Sequence, residues 1–168
     1  MTPEEETALT DRAMKALGWF SHQAAMADAC QYEAFHHIAG CKRGISRAIY
    51  FTLDSSNGRS TLVKRVAVAT AADTETMALL KALKESIKEI TDHRNNFAHS
   101  FLLIHRDFLG EDDHLRIVNP KHPNPGGQRV VESSLNDAEE KCVRLRGKVA
   151  EAFEAVCLRL GIRPTVSL

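Results

Sequence analysis

Apolar side chains recur every three or four residues along most of the chain, the spacing that places them on one face of a helix. The clearest run is the segment from residue 74 to about His99, with apolar positions at Met77, Leu80, Leu83, Ile87, Ile90 and Phe97. A second run begins near Ser134 with a sequence that resembles a capping box, and it continues to Leu160. The pattern therefore predicts a mainly α fold, namely a helical bundle.

The first half of the chain predicts further helices. A cap at Thr2 begins the first helix and Gly18 is expected to end it, since glycine often follows the last helical residue. A second helix is predicted over Phe20–Ala39, and a third over Arg43–Leu53. The apolar spacing of the third helix indicates an inner face made of Ile45, Ala48, Ile49 and Thr52. Residues 61–72 stay ambiguous, because their valines favour a strand and their alanines a helix.

Residues 100–132 have a different character, with short β-like runs separated by turns. The runs are Phe101–Ile104, Leu115–Val118 and Gln128–Glu132, and a polar turn lies at Gly110–Asp113. Three of the five prolines lie in residues 119–127, which indicates a loop. We therefore expect a small β-hairpin excursion before the last helix, as an insertion within one domain that spans residues 1–168.

Charge and composition narrow the function classes. The 168 residues carry 22 basic and 22 acidic side chains, a formal net charge of zero that argues against a uniform nucleic-acid-binding or membrane-binding surface. No apolar stretch is long enough for a membrane span, and the acidic N-terminus does not resemble a signal peptide. The four cysteines form no C-x-x-C pair and no zinc-type spacing. A cytoplasmic protein with thiol cysteines and no metal or other cofactor is expected.

One stretch is locally basic. Between residues 42 and 65 only Asp54 opposes the cations Lys42, Arg43, Arg47, Arg59, Lys64 and Arg65. Five of them, Lys42, Arg43, Arg47, Lys64 and Arg65, are candidate contacts to an RNA backbone. The alternative is a solvated basic face that balances acidic helices, and the absence of interleaved aromatic residues beyond Tyr50 and Phe51 argues against base stacking.

The segment Asp92–His99 carries the chemistry-bearing motif. Arg94 occupies a position in the apolar stripe of its helix where a leucine would be expected, and His99 follows five residues later. An arginine and a histidine at this spacing occur about 0.6 times by chance in a chain of this composition, so the pair alone is weak. Requiring an asparagine directly after the arginine, as at Asn95, lowers that expectation to about 0.02.

Arg94, Asn95 and His99 resemble the Arg-x4–6-His motif of the HEPN superfamily, the higher eukaryote and prokaryote nucleotide-binding domains. The order of helices, with a motif late in one helix and a final amphipathic helix after it, is also similar. The resemblance implies a compact helical bundle, a homodimer that brings two motifs together, and RNA as the substrate of active members. It implies either a metal-independent endoribonuclease or a non-catalytic binding and dimerisation module, with an antitoxin or another protein as partner.

In a cleavage reaction of this kind, the residue types have distinct roles. Histidine suits acid–base catalysis because its pKa is near neutrality, so His99 would move protons. The guanidinium of Arg94 would bind phosphate oxygens in the transition state, and Asn95 would position the imidazole or the phosphate. The alternatives are a structural Arg94 and a His99 that caps the helix. The neighbouring His93 and His105 are expected at the surface, and the adjacent His36 and His37 are not expected to share a metal.

Overall fold

The computed structural model describes residues 2–98, 101–105, 114–118, 128–129, 132–164 and 166, and of the strands, Pro3, Glu6 and residues 132–134 it describes the backbone only. Within these residues it contains five α-helices and three short strands. The helices are α1 (Pro3–Ala39), α2 (Arg43–Phe51), α3 (Ser56–Ala69), α4 (Thr74–Ala98) and α5 (Glu132–Leu160). The strands are β1 (Phe101–His105), β2 (His114–Val118) and β3 (Gln128–Arg129). The predicted mainly helical fold is confirmed.

The chain forms two compact units. Unit 1 consists of Met1–His22 and Asp92–Val143, and unit 2 consists of Gln23–Thr91 and Arg144–Leu168. Unit 2 is a helical bundle, and its core includes the fully buried Phe35, Tyr50, Leu83, Ile87 and Val149. The prediction of a single domain over residues 1–168 stays a prediction.

Helix α1 is continuous, so the prediction that Gly18 ends a first helix is wrong. The buried positions Ala13, Ala16 and Phe20 keep the three-to-four spacing across the exposed Gly18. Glycine within a helix costs about 0.5–1 kcal/mol relative to alanine, whereas burying a phenylalanine contributes about 1.5–3 kcal/mol. The burial of Phe20 therefore outweighs the preference of glycine for the end of a helix. The glycine that does end α1 is Gly40, which adopts a left-handed φ of +60°.

Helix α2 presents a different face to the core from the one its apolar spacing predicts. Ser46 and Tyr50 are fully buried, while Ile45 and Ile49 are each about half exposed. The Tyr50 hydroxyl lies 3.0 Å from both Asp28 Oδ1 and Gln31 Oε1, so its polar end is satisfied inside the bundle. Burying the large ring therefore carries no penalty for an unpaired hydroxyl. The isoleucines are left at the surface as a result.

The ambiguous residues 61–72 belong to a helix as far as Ala69. Ser55 caps α3, since its Oγ accepts a hydrogen bond from the Gly58 amide at 3.0 Å. The cap explains why a sequence rich in turn residues begins a helix here. Val63 and Ala67, one turn apart, are buried.

Helix α4 is capped by Asp73, and its predicted inner face is confirmed. The Asp73 carboxylate accepts a hydrogen bond from the Thr76 amide at 2.7 Å, and this bond, together with bonds from the Thr76 side chain and Arg159, lowers the pKa of Asp73 to about 2. Four of the six predicted apolar positions, Leu80, Leu83, Ile87 and Ile90, are buried, whereas Met77 and Phe97 are half-buried.

The three strands form one antiparallel sheet in the order β1-β2-β3. Phe101 pairs with Val118 and Leu103 with Arg116 between the first two strands, and Ile117 pairs with Gln128 between the second and third. The predicted turn at Gly110–Asp113 and the predicted loop over residues 119–127 lie outside the described residues. The β-hairpin excursion as a whole stays a prediction.

The cysteines are present as thiols, with Cys30, Cys142 and Cys157 buried and Cys41 half-buried. Burial raises the pKa of the Cys30 thiol to about 12, which makes it unreactive. Among the helices that the structure describes, none combines the length and the apolar character that crossing a bilayer requires.

Candidate functional site

Arg94 and Asn95 lie near the C-terminal end of α4, in unit 1, and both are half-buried. The Nε atom of Arg94 is buried, and within the part of the chain that the structure describes no acceptor lies within hydrogen-bond distance of it. A buried N–H group without a hydrogen-bond partner destabilises the fold, because it has lost its hydrogen bonds to water and gained none in return. The Nε donor of Arg94 is therefore left for an oxygen atom that does not belong to the described residues.

A small aromatic cluster holds this end of α4 in unit 1. The fully buried Phe20 of α1 has its ring centroid 4.9 Å from that of His93 and 4.9 Å from that of Phe97, the latter in an edge-to-face arrangement. Cys142 and Ala138 of α5 pack on the same cluster. Because His93 and Phe97 flank Arg94 in sequence, their packing fixes the backbone that carries the arginine.

His93 is half-buried against this cluster, so the expectation of an exposed surface histidine is wrong. Its Nε2 atom lies 3.0 Å from the carbonyl oxygen of Ala138. A carbonyl oxygen only accepts, so Nε2 carries the hydrogen and donates it. Burial lowers the pKa of His93 from its usual 6.5, an effect that the bond to Ala138 opposes and the nearby Lys141 reinforces.

This burial predicts a pH dependence of stability. The unfolded chain takes up a proton at His93 near pH 6.5, whereas the folded chain takes it up only at lower pH, so stability rises with pH between the two. We expect the free energy of unfolding, measured by urea titration, to fall as the pH is lowered from about 7.5 to about 5.5. His93→Gln keeps a donor for Ala138 and removes the titration, so it should reduce the slope.

The slope of the variant should not vanish, because burial also lowers the pKa of His36, with Arg43 and His37 acting in the same direction. If wild type and His93→Gln show the same slope in this pH range, the half-buried His93 does not contribute to the pH dependence of stability.

The structure does not test the pairing of Arg94 with His99. His99 lies outside the described residues, and of His105 only the backbone is described. Arg94 and Asn95 are thus placed together, one residue apart at the end of α4, while the histidine of the motif stays a prediction.

The predicted RNA contacts Lys42, Arg43, Arg47, Lys64 and Arg65 all lie in unit 2, and all are exposed. Arg43, however, makes a two-pronged ion pair with Glu33 of α1, at 2.6 and 3.0 Å. Arg59 pairs with Asp28 at 2.6 Å and lies over the Tyr50 and Phe51 rings. Acidic residues of α1 therefore neutralise part of the positive charge of this stretch. A count of charges confined to residues 42–65 does not include them.

Lys64 also lines a cavity of about 600 Å³ in unit 2, which lies against α3 and α4. Three lysines of α4 line the same cavity, namely Lys81, Lys84 and Lys88. These three were not among the residues that the sequence singled out. Their spacing of three and four positions is a usable signal, because it places like charges along one edge of a helix.

Among the residues described, no group of three or more histidine, cysteine, aspartate or glutamate side chains could hold a metal ion. Of the adjacent His36 and His37, His36 has its Nδ1 2.9 Å from Ser46 Oγ and its ring stacked on Tyr32.

No protein-family model matches the chain, and the curated proteins and the solved structures contain no significant match either.

Proposed function

We propose that this chain is an RNA-directed, HEPN-like helical protein that cleaves RNA without a metal ion, through a composite site in a homodimer. The observation that carries the proposal is the buried Nε of Arg94, one residue before Asn95 at the end of α4, which has no hydrogen-bond partner among the described residues. A half-buried guanidinium with a donor that the described residues leave unused is the kind of group that binds a phosphodiester oxygen.

The reaction needs a base, an acid and a cation. The 2′-hydroxyl loses its proton to a base and attacks the adjacent phosphorus, the bond from phosphorus to the 5′-oxygen breaks, and an acid protonates that oxygen. His99 is assigned to proton transfer, and its partner-subunit copy in a two-fold dimer supplies the complementary role. Arg94 stabilises the charge on the phosphorus-centred transition state, and Asn95 positions the imidazole or the phosphate.

The exposed cations of unit 2 supply contacts to the RNA backbone under this proposal. Lys42, Arg47, Lys64 and Arg65 are exposed, and Arg43 contributes to the extent that its pairing with Glu33 leaves donors for phosphate. These contacts would be independent of sequence and sensitive to salt, as phosphate contacts are.

The test is incubation of the purified protein with single-stranded RNA in excess EDTA. We expect cleavage products that end in a 2′,3′-cyclic phosphate, because the attacking group is the neighbouring 2′-hydroxyl. A matched oligonucleotide with deoxyribose at every position lacks that nucleophile and should stay intact. Absence of cleavage, or cleavage that EDTA abolishes, would contradict the proposal.

A second candidate is a non-catalytic binding and dimerisation module with an antitoxin or another protein as partner. Its support is the half-buried placement of Arg94, which also suits a structural residue, and the apolar surface that Ile45 and Ile49 of α2 leave exposed. A stable dimer in size-exclusion chromatography, together with no RNA products in EDTA, would favour this candidate over the nuclease.

A further inference from the structure

The cavity against α3 and α4 in unit 2 has the composition of a site for an amphipathic anion. Its volume of about 600 Å³ lies within the range of pockets that bind small organic molecules. The lining combines the apolar Val63, Met77 and Leu80 with a set of lysines. This inference does not depend on the RNA-directed function proposed above, because the two share only Lys64.

The charged part of the lining has one dominant sign. Four lysines, Lys64, Lys81, Lys84 and Lys88, line the cavity against the single carboxylate of Glu85. Glu85 lies 3.8 Å from Lys81 in an exposed pair, so it offsets one of them only weakly. The lysines of α4 follow one another at intervals of three and four residues, so they extend along about 10 Å of one helix edge. Lys88 already has an interaction of its own, so an anion bound beside Lys64 and Lys84 would offset the like charges of those two side chains.

Ser60 adds a neutral donor deep in the same cavity. It is only 7% exposed, and its Oγ accepts a hydrogen bond from Gln31 Nε2 at 3.0 Å. Gln31 is fixed in turn by the Tyr50 hydroxyl, which lies 3.0 Å from its Oε1. No described residue accepts the hydroxyl hydrogen of Ser60. That hydrogen can therefore be donated to a ligand oxygen, and Lys64 lies one helical turn further along α3.

The rest of the lining selects against a nucleobase and for an aliphatic group. No aromatic side chain is among the residues that line the cavity, so it offers no surface for base stacking. Met77 is flexible and adapts to an alkyl chain. We propose that this cavity binds a small organic anion, with an aliphatic body against Val63, Met77 and Leu80 and a carboxylate or phosphate head held by Ser60, Lys64 and Lys84.

Calorimetric titration with decanoate and decyl phosphate, both below their micelle concentrations, tests the proposal. Two partial ligands, or half-ligands, separate the contributions of the head group and the alkyl chain to binding. Inorganic phosphate has the head group without the chain, and decanol has the chain without the anionic head group. We expect both amphipathic anions to bind at least tenfold more tightly than either half-ligand, and a higher salt concentration to weaken that binding. The stronger of the two anions identifies the head group.

Variants locate the site. Lys64→Gln combined with Lys84→Gln should weaken binding about tenfold, and Ala78→Trp, at an exposed position of the lining, should block entry. The control, Lys15→Gln combined with Lys141→Gln, removes two exposed lysines outside the lining and should bind like wild type. The proposal would be overturned if wild type and both cavity variants bound the anions equally well. It would also be overturned if decanol bound as tightly as decanoate. Displacement of decyl phosphate by a uridine oligonucleotide would reassign the cavity to RNA.

Discussion

Arg94→Leu should lower RNA cleavage in EDTA at least a hundredfold and leave the free energy of unfolding unchanged or raised by about 1 kcal/mol. The loss of activity follows from the role assigned to the guanidinium, which stabilises charge on the transferring phosphorus. The stability result follows from the structure, where the Nε of Arg94 is buried without a partner among the described residues. A leucine fills this position of the apolar stripe and has no donor to satisfy.

The opposite signs of the two effects separate a functional arginine from a structural one. A structural arginine, held by carboxylates or by its stem packing, would lose stability when replaced by leucine. Cleavage is measured as an initial rate on single-stranded RNA, and stability by urea unfolding. A drop of 2 kcal/mol or more in the free energy of unfolding would indicate a structural role.

Two further variants complete this test. Arg94→Lys keeps the positive charge but loses the planar fork of donors, so we expect it to retain only part of the activity. His99→Ala should lower the rate by about 10²- to 10⁴-fold, the usual contribution of a positioned acid or base. Arg146→Leu, on the half-buried side of α5 in unit 2, is the matched control and should cleave at the wild-type rate. Wild-type rates for Arg94→Leu and His99→Ala would exclude the proposed catalytic roles.

The helices were predictable where one long apolar stripe decides the structure. Helix α4 is the clearest case, because the apolar stripe from Leu80 to Ile90 and the cap at Asp73 both favour a helix over these residues. At Gly18 the tendency of glycine to end a helix opposes the apolar stripe. The helix continues because the burial of Phe20 stabilises it by more than a glycine within a helix costs.

Helix α2 shows where apolar spacing alone is insufficient. Its inner face is chosen by Tyr50, whose ring is buried and whose hydroxyl meets Asp28 and Gln31 of α1. Those partners lie about twenty residues away in the chain, so no local window of sequence contains them. The same reason applies to the basic stretch, where Glu33 and Asp28 of α1 neutralise Arg43 and Arg59.

The candidate site was predictable only in part. The unusual position of Arg94 in an apolar stripe is visible in the sequence, and in the structure its buried Nε has no hydrogen-bond partner within the described part of the chain. The burial of His93 was not predictable, since it depends on Phe20 and on the Ala138 carbonyl of another helix. The lysine-lined cavity requires α3 and α4 to lie together, although the spacing of Lys81, Lys84 and Lys88 is visible in the sequence.

Phe20→Ala should have the largest effect on stability, a loss of about 3–5 kcal/mol in the free energy of unfolding. Phe20 is fully buried in unit 1, and its ring meets those of His93 and Phe97 with centroids 4.9 Å apart in both cases. Truncation removes the aromatic surface and leaves a cavity in this cluster. Trp19, the single tryptophan of the chain, has its ring centroid 5.6 Å from that of Phe20, so its fluorescence reports on this unit during urea unfolding.

Two substitutions make the result interpretable if Phe20→Ala fails to fold. Phe20→Leu keeps an apolar side chain of nearly the same volume and should cost about 1 kcal/mol, which leaves a measurable transition. Met14→Ala truncates a side chain that is 57% exposed on the same helix, and it should change the free energy of unfolding by less than about 0.5 kcal/mol. If Phe20→Leu and Met14→Ala cost the same, the aromatic cluster is not what holds the end of α4. The backbone around Arg94 would then need another support.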